Sequence, residues 1–367
     1  MLLGVAAHSS YVFTVNGEWL IHNSESSPVF DAIAGFLLLF RMPAFFIVSG
    51  FFCHMTLTRY GAARFLKVRM ARIAVPLLAT ALLLNSVQNY ILARTNDRSI
   101  SAAELFLNVP YWLNGEWVDH LWFLNCLLVF FLVAALIYAL FGNPIRALAD
   151  RLRALRWLAD SGLYLLLAPF VILAADFVSY RVPDGIKGLV PFLDFYELLH
   201  YGVFFTFGFL LGAYPKLMNE FPKLKIWALS LLSAFALAKI ILSPENHQGI
   251  VANTLFHYAD VYISWYLCAI CFYLFRKYFD TPSKVFGYLA DASYSIYLFH
   301  HMWVVILGIV LIPLTFNLYL KFALLLFGVT AISFAIHHFA ILRSPVLRYL
   351  FNGKTPADSQ KLVKAVA

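Results

Sequence analysis

The sequence predicts an all-α protein: a polytopic membrane bundle of about ten transmembrane helices, the first of them truncated, with both ends cytoplasmic. Three observations carry that prediction. Of 367 residues, 62% are hydrophobic and 13% charged, with a mean hydropathy of +0.78, whereas soluble domains are about 45–50% apolar and about 25% charged. The apolar residues fall into runs of about 20, the length that crosses a ~30 Å hydrocarbon core at about 1.5 Å per residue. Lys and Arg are divided very unevenly between alternate connections.

The runs lie at 28–57, 73–94, 120–142, 159–178, 194–214, 226–243, 252–275, 288–312 and 318–342. The opening stretch MLLGVAAHSSYVF is apolar but too short to span, and reads as the second half of a helix. It has neither the basic flank nor the small-residue cleavage site of a signal peptide. One alternating set of connections, counted with the C-terminal tail, holds 20 of the 27 Lys and Arg residues. The other holds Arg94, Arg98, Arg181 and Lys187, while Arg41, Lys239 and Lys321 fall inside runs. Positive charge is retained on the cytoplasmic side, so residues 1–342 form the transmembrane domain and 343–367 a cytoplasmic tail. The formal charge of +8 is thereby a matter of topology, and no nucleic-acid partner is expected. The bilayer itself is the first partner.

All four cysteines lie in apolar runs, so no disulfide framework is indicated. Cys268-Ala-Ile-Cys271 reads as small apolar packing, and Gly208-x-x-x-Gly212 as a close helix contact.

Chemistry is sought among ionisable residues within apolar runs, which are expensive in lipid and face a bundle interior or a cavity. They are His8, Arg41, His120 and the pair in SYSIYLFHHMW (293–303). Ser293, Tyr297 and His300 share a helix face by their i, i+4, i+7 spacing. Adjacent helical positions diverge by about 100°, so His300 is expected to line a cavity and His301 to bond a neighbouring helix. Arg41 requires a carboxylate such as Asp31 or Glu197, unless it serves chemistry. Glu197-Leu-Leu-His200 with His257 and Asp260 resembles part of a carboxylate-bundle metal site, but the second motif and further glutamates are missing; no metal is expected. Trp117 and Trp122 suit either sugar stacking or an interfacial belt. The run RYGAARFLKVRMAR suits either phosphate binding or orientation.

Taken in order, His8, FFIVSGF, the R-x-x-R-x-x-x-P pattern of Arg69, Arg72 and Pro76, the H-x-W pattern of His120 and Trp122, and SYSIYLFHH resemble acyltransferase family 3 of integral-membrane enzymes. The stretches SSPVFDAIAGFLLLFRMPAFFIVSGFF, LKVRMARIAVPLL, HLWFL and RSPVLRYLFNGK are similar to the branch that succinylates osmoregulated periplasmic glucans. Leu127 stands where the O-antigen acetylases carry Glu, which favours the same branch. The resemblance runs along nearly the whole chain. It implies a multi-pass enzyme of the bacterial inner membrane, with no permanently bound cofactor. An acyl group, succinyl in this branch, would move from a cytoplasmic acyl-CoA to a hydroxyl of a periplasmic glucan. The family carries Arg, ten residues, then His in its first helix; His8 matches the histidine, and the Arg position falls before Met1.

Acyl transfer needs a base, an oxyanion stabiliser and a donor-phosphate site. The expected roles are His8 as base or acyl carrier, Arg41 on the oxyanion or a succinyl carboxylate, and His120 and His300 assisting. Lys67, Arg69 and Arg72 would hold the CoA phosphates, and Trp117, Trp122 and Tyr297 the substrates. The rival reading, a proton-coupled transporter or flippase, lacks the inverted repeat and paired broken helices of such folds.

Overall fold

A computed structural model describes residues 2–354 apart from 18, 96–100, 102–103, 105–106, 143–155, 189, 191, 242–248 and 282. Among the described residues there is no strand. The principal helices are α1 (Leu3–Tyr11), α2 (Pro28–Tyr60), α3 (Ala62–Thr95), α4 (Asp119–Phe141), α5 (Tyr164–Tyr180), α6 (Phe195–Ala213), α7 (Ile226–Ile241), α8 (Ile250–Tyr278), α9 (Lys284–Leu311), α10 (Leu318–Ile341) and α11 (Pro345–Asn352). Each of the nine predicted runs is a helix. Seven of them, α2, α3, α4, α6, α8, α9 and α10, are long and apolar enough to cross a membrane. α5 and α7 have 17 and 16 residues, about 24–26 Å at 1.5 Å per residue, which falls short of that length.

The boundaries follow local chemistry. Ser27 caps α2, accepting the Val29 N–H, with Pro28 in the first turn, where a missing N–H is no loss. Gly61, at φ +74°, breaks the chain between α2 and α3. In α3 a π-turn at Ala81–Asn85 shifts the register, and the Ser86 hydroxyl donates to the Ala81 carbonyl at 3.0 Å. Such turns are frequent at functional sites. Asn85, Ser86 and Gln88 beyond it are all buried.

α2 is the spine, packed against α1, α6 and α8 and, less extensively, α3 and α4. Its contact with α6 is backbone on backbone. A Cβ added at Gly208 would lie 1.9 Å from the Ile47 carbonyl oxygen, and one at Gly50 2.0 Å from that of Phe205. The expected close contact at Gly208 and Gly212 is therefore present, with Gly50 facing it from α2. α1 is inserted among α2, α9 and α10.

The segment expected as a tail begins as part of the bundle. α11 lies along α3, and Gly353, at φ +58°, sits where a Cβ would meet the Ala71 carbonyl oxygen at 2.3 Å. The Ser295 hydroxyl donates to Asn352 Oδ1 at 2.5 Å and lies 3.0 Å from His337 Nδ1, tying α11 to α9 and α10. Residues 355–367, with Lys361 and Lys364, lie outside the described residues, as do Arg98, Arg146, Arg151 and Arg153.

Gly208→Ala should lower thermal stability in detergent or lipid, because backbone blocks the new methyl and overpacking costs about 1–3 kcal/mol. Gly35→Ala, on the same α2 but with nothing within 4 Å of its Cβ, should be neutral or mildly stabilising. Equal melting temperatures for the two variants would refute the glycine contact as the organising one.

Candidate functional site

Four imidazoles meet inside the bundle, from three separate places in the chain. His8 comes from α1, His120 from the first turn of α4, and His300 and His301 from the middle of α9. Their solvent exposures are 8%, 5%, 0% and 3%. The His8 ring centre lies 5.0 Å from His300 and 4.9 Å from His301. His120 stacks on His301 at 4.2 Å and 16°, and lies 5.8 Å from His300 and 6.5 Å from His8. All the histidines proposed from the sequence are thus together. His301, expected to serve a helix contact, joins them as well. It does bond a neighbouring helix, through Gln88 of α3 at 2.7 Å.

Hydrogen bonds define part of the proton inventory. His300 Nδ1 is 2.5 Å from the Tyr297 carbonyl; a carbonyl only accepts, so Nδ1 carries the proton. Its Nε2 is then an acceptor, buried and without a partner. His8 Nδ1 and both ring nitrogens of His120 are also buried without partners. The Tyr297 hydroxyl donates to the His120 carbonyl at 2.6 Å, locking α9 to the start of α4. Buried polar atoms left unpaired cost about 1–3 kcal/mol each, so a cluster of them is a place built to bond something else.

Arg41 is beside this cluster. Neither carboxylate expected to neutralise it does so. Asp31 instead accepts the backbone N–H groups of Val15 and Asn16 at 2.8 and 3.1 Å, and Glu197 lies in the first turn of α6 with no ion pair to Arg41. Nε and Nη1 of Arg41 are buried without a partner. The guanidinium borders a void of about 10 Å³, lined by Met42, Phe45, Phe123 and Tyr297, with room for about one water.

Phe45 also belongs to the wall of a far larger cavity of about 1240 Å³. Arg69, Arg72, Lys284, Arg348 and Lys354 line it, with Asp291 the one acidic residue in its wall among the described residues. Asp291 is paired to Arg348 at 3.3 Å and to Lys354. Arg69 makes no ion pair among the described residues; it donates to the Thr56 hydroxyl and the Phe52 carbonyl and lies 5.2 Å from the Phe131 ring. Arg69 and Arg72 are brought together as expected. Lys67 is not: it is exposed and outside this wall, and α11 and the start of α9 supply the remaining cations.

On the other side of the histidines the connection from α1 to α2 forms a strap. Asn23 is buried and receives Lys321 Nζ at 3.2 Å, and the same ammonium donates to the Ile312 carbonyl at 2.8 Å. The strap places Trp19 5.4 Å from His301 and 6.0 Å from His8, with Tyr11 5.7 Å from His8. Trp19 was not foreseen from the sequence, where it stands in a polar stretch. Trp122 packs among Phe46, Phe123 and Tyr201, and the Trp117 indole donates to the Trp112 carbonyl at 3.0 Å. The pattern weighed as a metal site is differently used. His200 and His257 both bond the buried Asp176, at 3.0 and 2.7 Å, and Asp260 pairs with Lys239. Among the described residues, no group of three or more His, Cys, Asp or Glu is arranged to hold a metal.

Comparisons with known proteins bear on this geometry. The family profile described as "Acyltransferase domain" matches residues 1–338. The chain is 27% identical to proteins named glucans biosynthesis protein C from Salmonella schwarzengrund (strain CVM19633), Salmonella paratyphi B and Salmonella enteritidis PT4, over 98% of this chain and 94% of theirs. No solved structure matches. A basic cavity that shares Phe45 with the void at Arg41, close to the clustered imidazoles, is thus found in a chain whose sequence matches that family over nearly its whole length: this protein is a membrane acyltransferase of acyltransferase family 3.

Proposed function

We propose that the protein is a multi-pass O-acyltransferase of the bacterial inner membrane that transfers an acyl group, succinyl by its likeness to glucans biosynthesis protein C, from cytoplasmic acyl-CoA to a hydroxyl of a periplasmic glucan. The observation that carries this reading is the continuity at Phe45, which lines both the basic cavity and the void beneath Arg41. CoA phosphates would occupy the cavity, met by Arg69, Arg72 and the cations of α9 and α11. The pantetheine arm would pass Phe45 and bring the thioester carbonyl to Arg41. The cations favour a phosphate-bearing donor, and the positive-inside distribution favours a cytoplasmic mouth.

In the proposed step the glucan hydroxyl oxygen attacks the thioester carbonyl carbon. Its proton passes to the imidazole of His8, which lies between the donor side and the Trp19 strap. The oxyanion is held by the Arg41 guanidinium, a charge-assisted donor in a dry site. The carbon–sulfur bond then breaks, and the CoA thiolate leaves with the proton from His8. Trp19 and Tyr11 present ring faces suited to a sugar.

Incubating membranes with acyl-CoA and glucan, and following CoA release with acylation of the glucan, tests the reaction. A proton-coupled transporter would move substrate without consuming the thioester. His8→Ala should reduce transfer about 10²–10⁴-fold, the usual loss for a general base, with folding intact; activity within a few-fold of wild type would remove His8 from the mechanism.

For the donor site, Arg69→Ala, Arg72→Ala and Arg348→Ala should each raise the KM for acyl-CoA about 10–100-fold, each losing a charge-assisted partner worth about 1.5–3 kcal/mol. Lys67→Ala should not. Normal donor KM with misinserted protein would show that the arginines serve orientation alone. On the acceptor side, Trp19→Ala should raise the KM for glucan about 2–10-fold and leave the KM for acyl-CoA unchanged, stacking on an aromatic being worth about 0.5–1.5 kcal/mol. A rise in both constants would argue against a stacking role.

A further inference from the structure

His301 is held by a chain of hydrogen bonds that the acyl-transfer scheme has not yet used. Its Nδ1 lies 2.7 Å from Gln88 Oε1. The Gln88 amide nitrogen is 3.3 Å from Asp119 Oδ2 and 3.5 Å from Asn89 Oδ1. The Gln88 NH₂ faces Asp119, whose oxygen accepts, and its carbonyl oxygen faces His301. That oxygen can only receive a proton. His301 is therefore the Nδ1–H tautomer, and its Nε2 carries the lone pair.

The elements that make this chain are unusual in their own right. Gln88 is fully buried, three residues past the π-turn that sets its register. Asp119 has φ +45°, the one non-glycine at positive φ among the described residues. Asp tolerates that region better than most residues, and such backbone is kept where the surroundings enforce it. Asp119 makes no ion pair among the described residues. Packing alone would be met by apolar groups at 88 and 119. A buried amide and a carboxylate aimed in series at one imidazole have a simpler use.

We infer that Gln88 and Asp119 are positioning residues that fix the tautomer of His301, so that its Nε2 can accept a proton within the imidazole cluster. The ring that stacks on His120 and meets His8 edge-on at 4.9 Å is then a proton acceptor beside the base. When the acceptor hydroxyl gives up its proton, His301 Nε2 bonds the developing imidazolium of His8. The proton returns to the CoA thiolate as the carbon–sulfur bond breaks. Asp119 accepts from the Gln88 amide and so holds the Gln88 carbonyl oxygen toward His301. In its logic this matches the buried aspartate that orients a catalytic histidine in serine hydrolases, with an amide interposed.

The inference rests on the acyl-transfer reading for its rate measurements, while its spectroscopic arm does not. In lipid nanodiscs with ¹⁵N-labelled histidine, the His301 signal, assigned by its loss in His301→Gln, should show Nδ1 protonated in the wild type. Gln88→Leu should release it to mixed tautomers, and Gln88→Glu, which can share one proton with Asp119 and still accept from Nδ1–H, should keep it. In the transfer assay Gln88→Leu should lower kcat about 10–100-fold, with both KM values within about twofold. Gln88→Glu should recover most of that loss, and Asp119→Asn, which tolerates the same backbone, should lose less than Gln88→Leu. An Nε2–H tautomer in the wild type, or an undiminished kcat in Gln88→Leu, overturns the inference. So does an equal loss in Gln88→Leu and Gln88→Glu with lower thermal stability, which assigns Gln88 to packing. A wild type that fixes the tautomer but transfers no acyl group overturns the proposed function and upholds the positioning role.

Discussion

A guanidinium and four imidazoles held away from water, with few partners among themselves, set the terms for the rest of this structure. Arg41 keeps two nitrogens buried and unpaired, and His8, His120 and His300 each keep at least one. Desolvating polar groups without hydrogen bonds is unfavourable by kilocalories each, more so at hydrocarbon depth. The surrounding helices must therefore be fixed by contacts that do not involve these groups. The α2–α6 crossing provides one such contact, with backbone against backbone at Gly50 and Gly208. The Tyr297–His120 bond provides a second. The strap held by Asp31 and Lys321 closes the cluster from the α1–α2 connection.

The basic cavity obeys the opposite rule. It is wide, and Arg69, Arg72 and Lys284 of its five cations make no ion pair among the described residues, so charge there is cheap to hold and available to a ligand. Asp291 is the exception: its carboxylate engages Arg348 and Lys354, in the way an anionic ligand would. This explains why α11 is folded into the bundle. Two of the cavity's five cations, Arg348 and Lys354, come from the C-terminal segment, so the cavity is complete only when that segment packs on α3 and α9.

The architecture was largely legible in the sequence, because apolar runs and the basic residues between them are local features. All nine runs became helices, and the Gly208 contact was read from spacing alone. The site was legible as a set of residues but not as a set of contacts. His8, His120 and His300 could be named because histidine is conspicuous in an apolar run. Trp19 could not, since a tryptophan in a polar connection carries no signal until the strap brings it to His301. Gln88 and Asp119 were missed for a similar reason: Gln88 meets His301 across 213 residues, through a π-turn that no periodicity announces. Lys67 was placed with Arg69 and Arg72 because the three are near in sequence, but on a helix Lys67 faces elsewhere. Asp176 was overlooked, and with it the reason His200 and His257 are polar.

The narrowness at Phe45 bears on how a thioester could be used across a membrane without loss. The void beneath Arg41 is only about 10 Å³ and shares Phe45 with the basic cavity, so on the proposed reading the reacting carbonyl would arrive with little solvent around it. In a dry site the Arg41 charge acts at low effective dielectric, where the same guanidinium is worth several times its value in water. On the same reading, the competing attack by water on the thioester would be reduced in so small a space. On the proposed reading the pantetheine arm itself must part Phe45 from Phe123, which pack edge to face at 5.2 Å. Entry of the donor and exposure of the thioester to the histidines would then be one event, and the Phe45–Phe123 contact would time the chemistry.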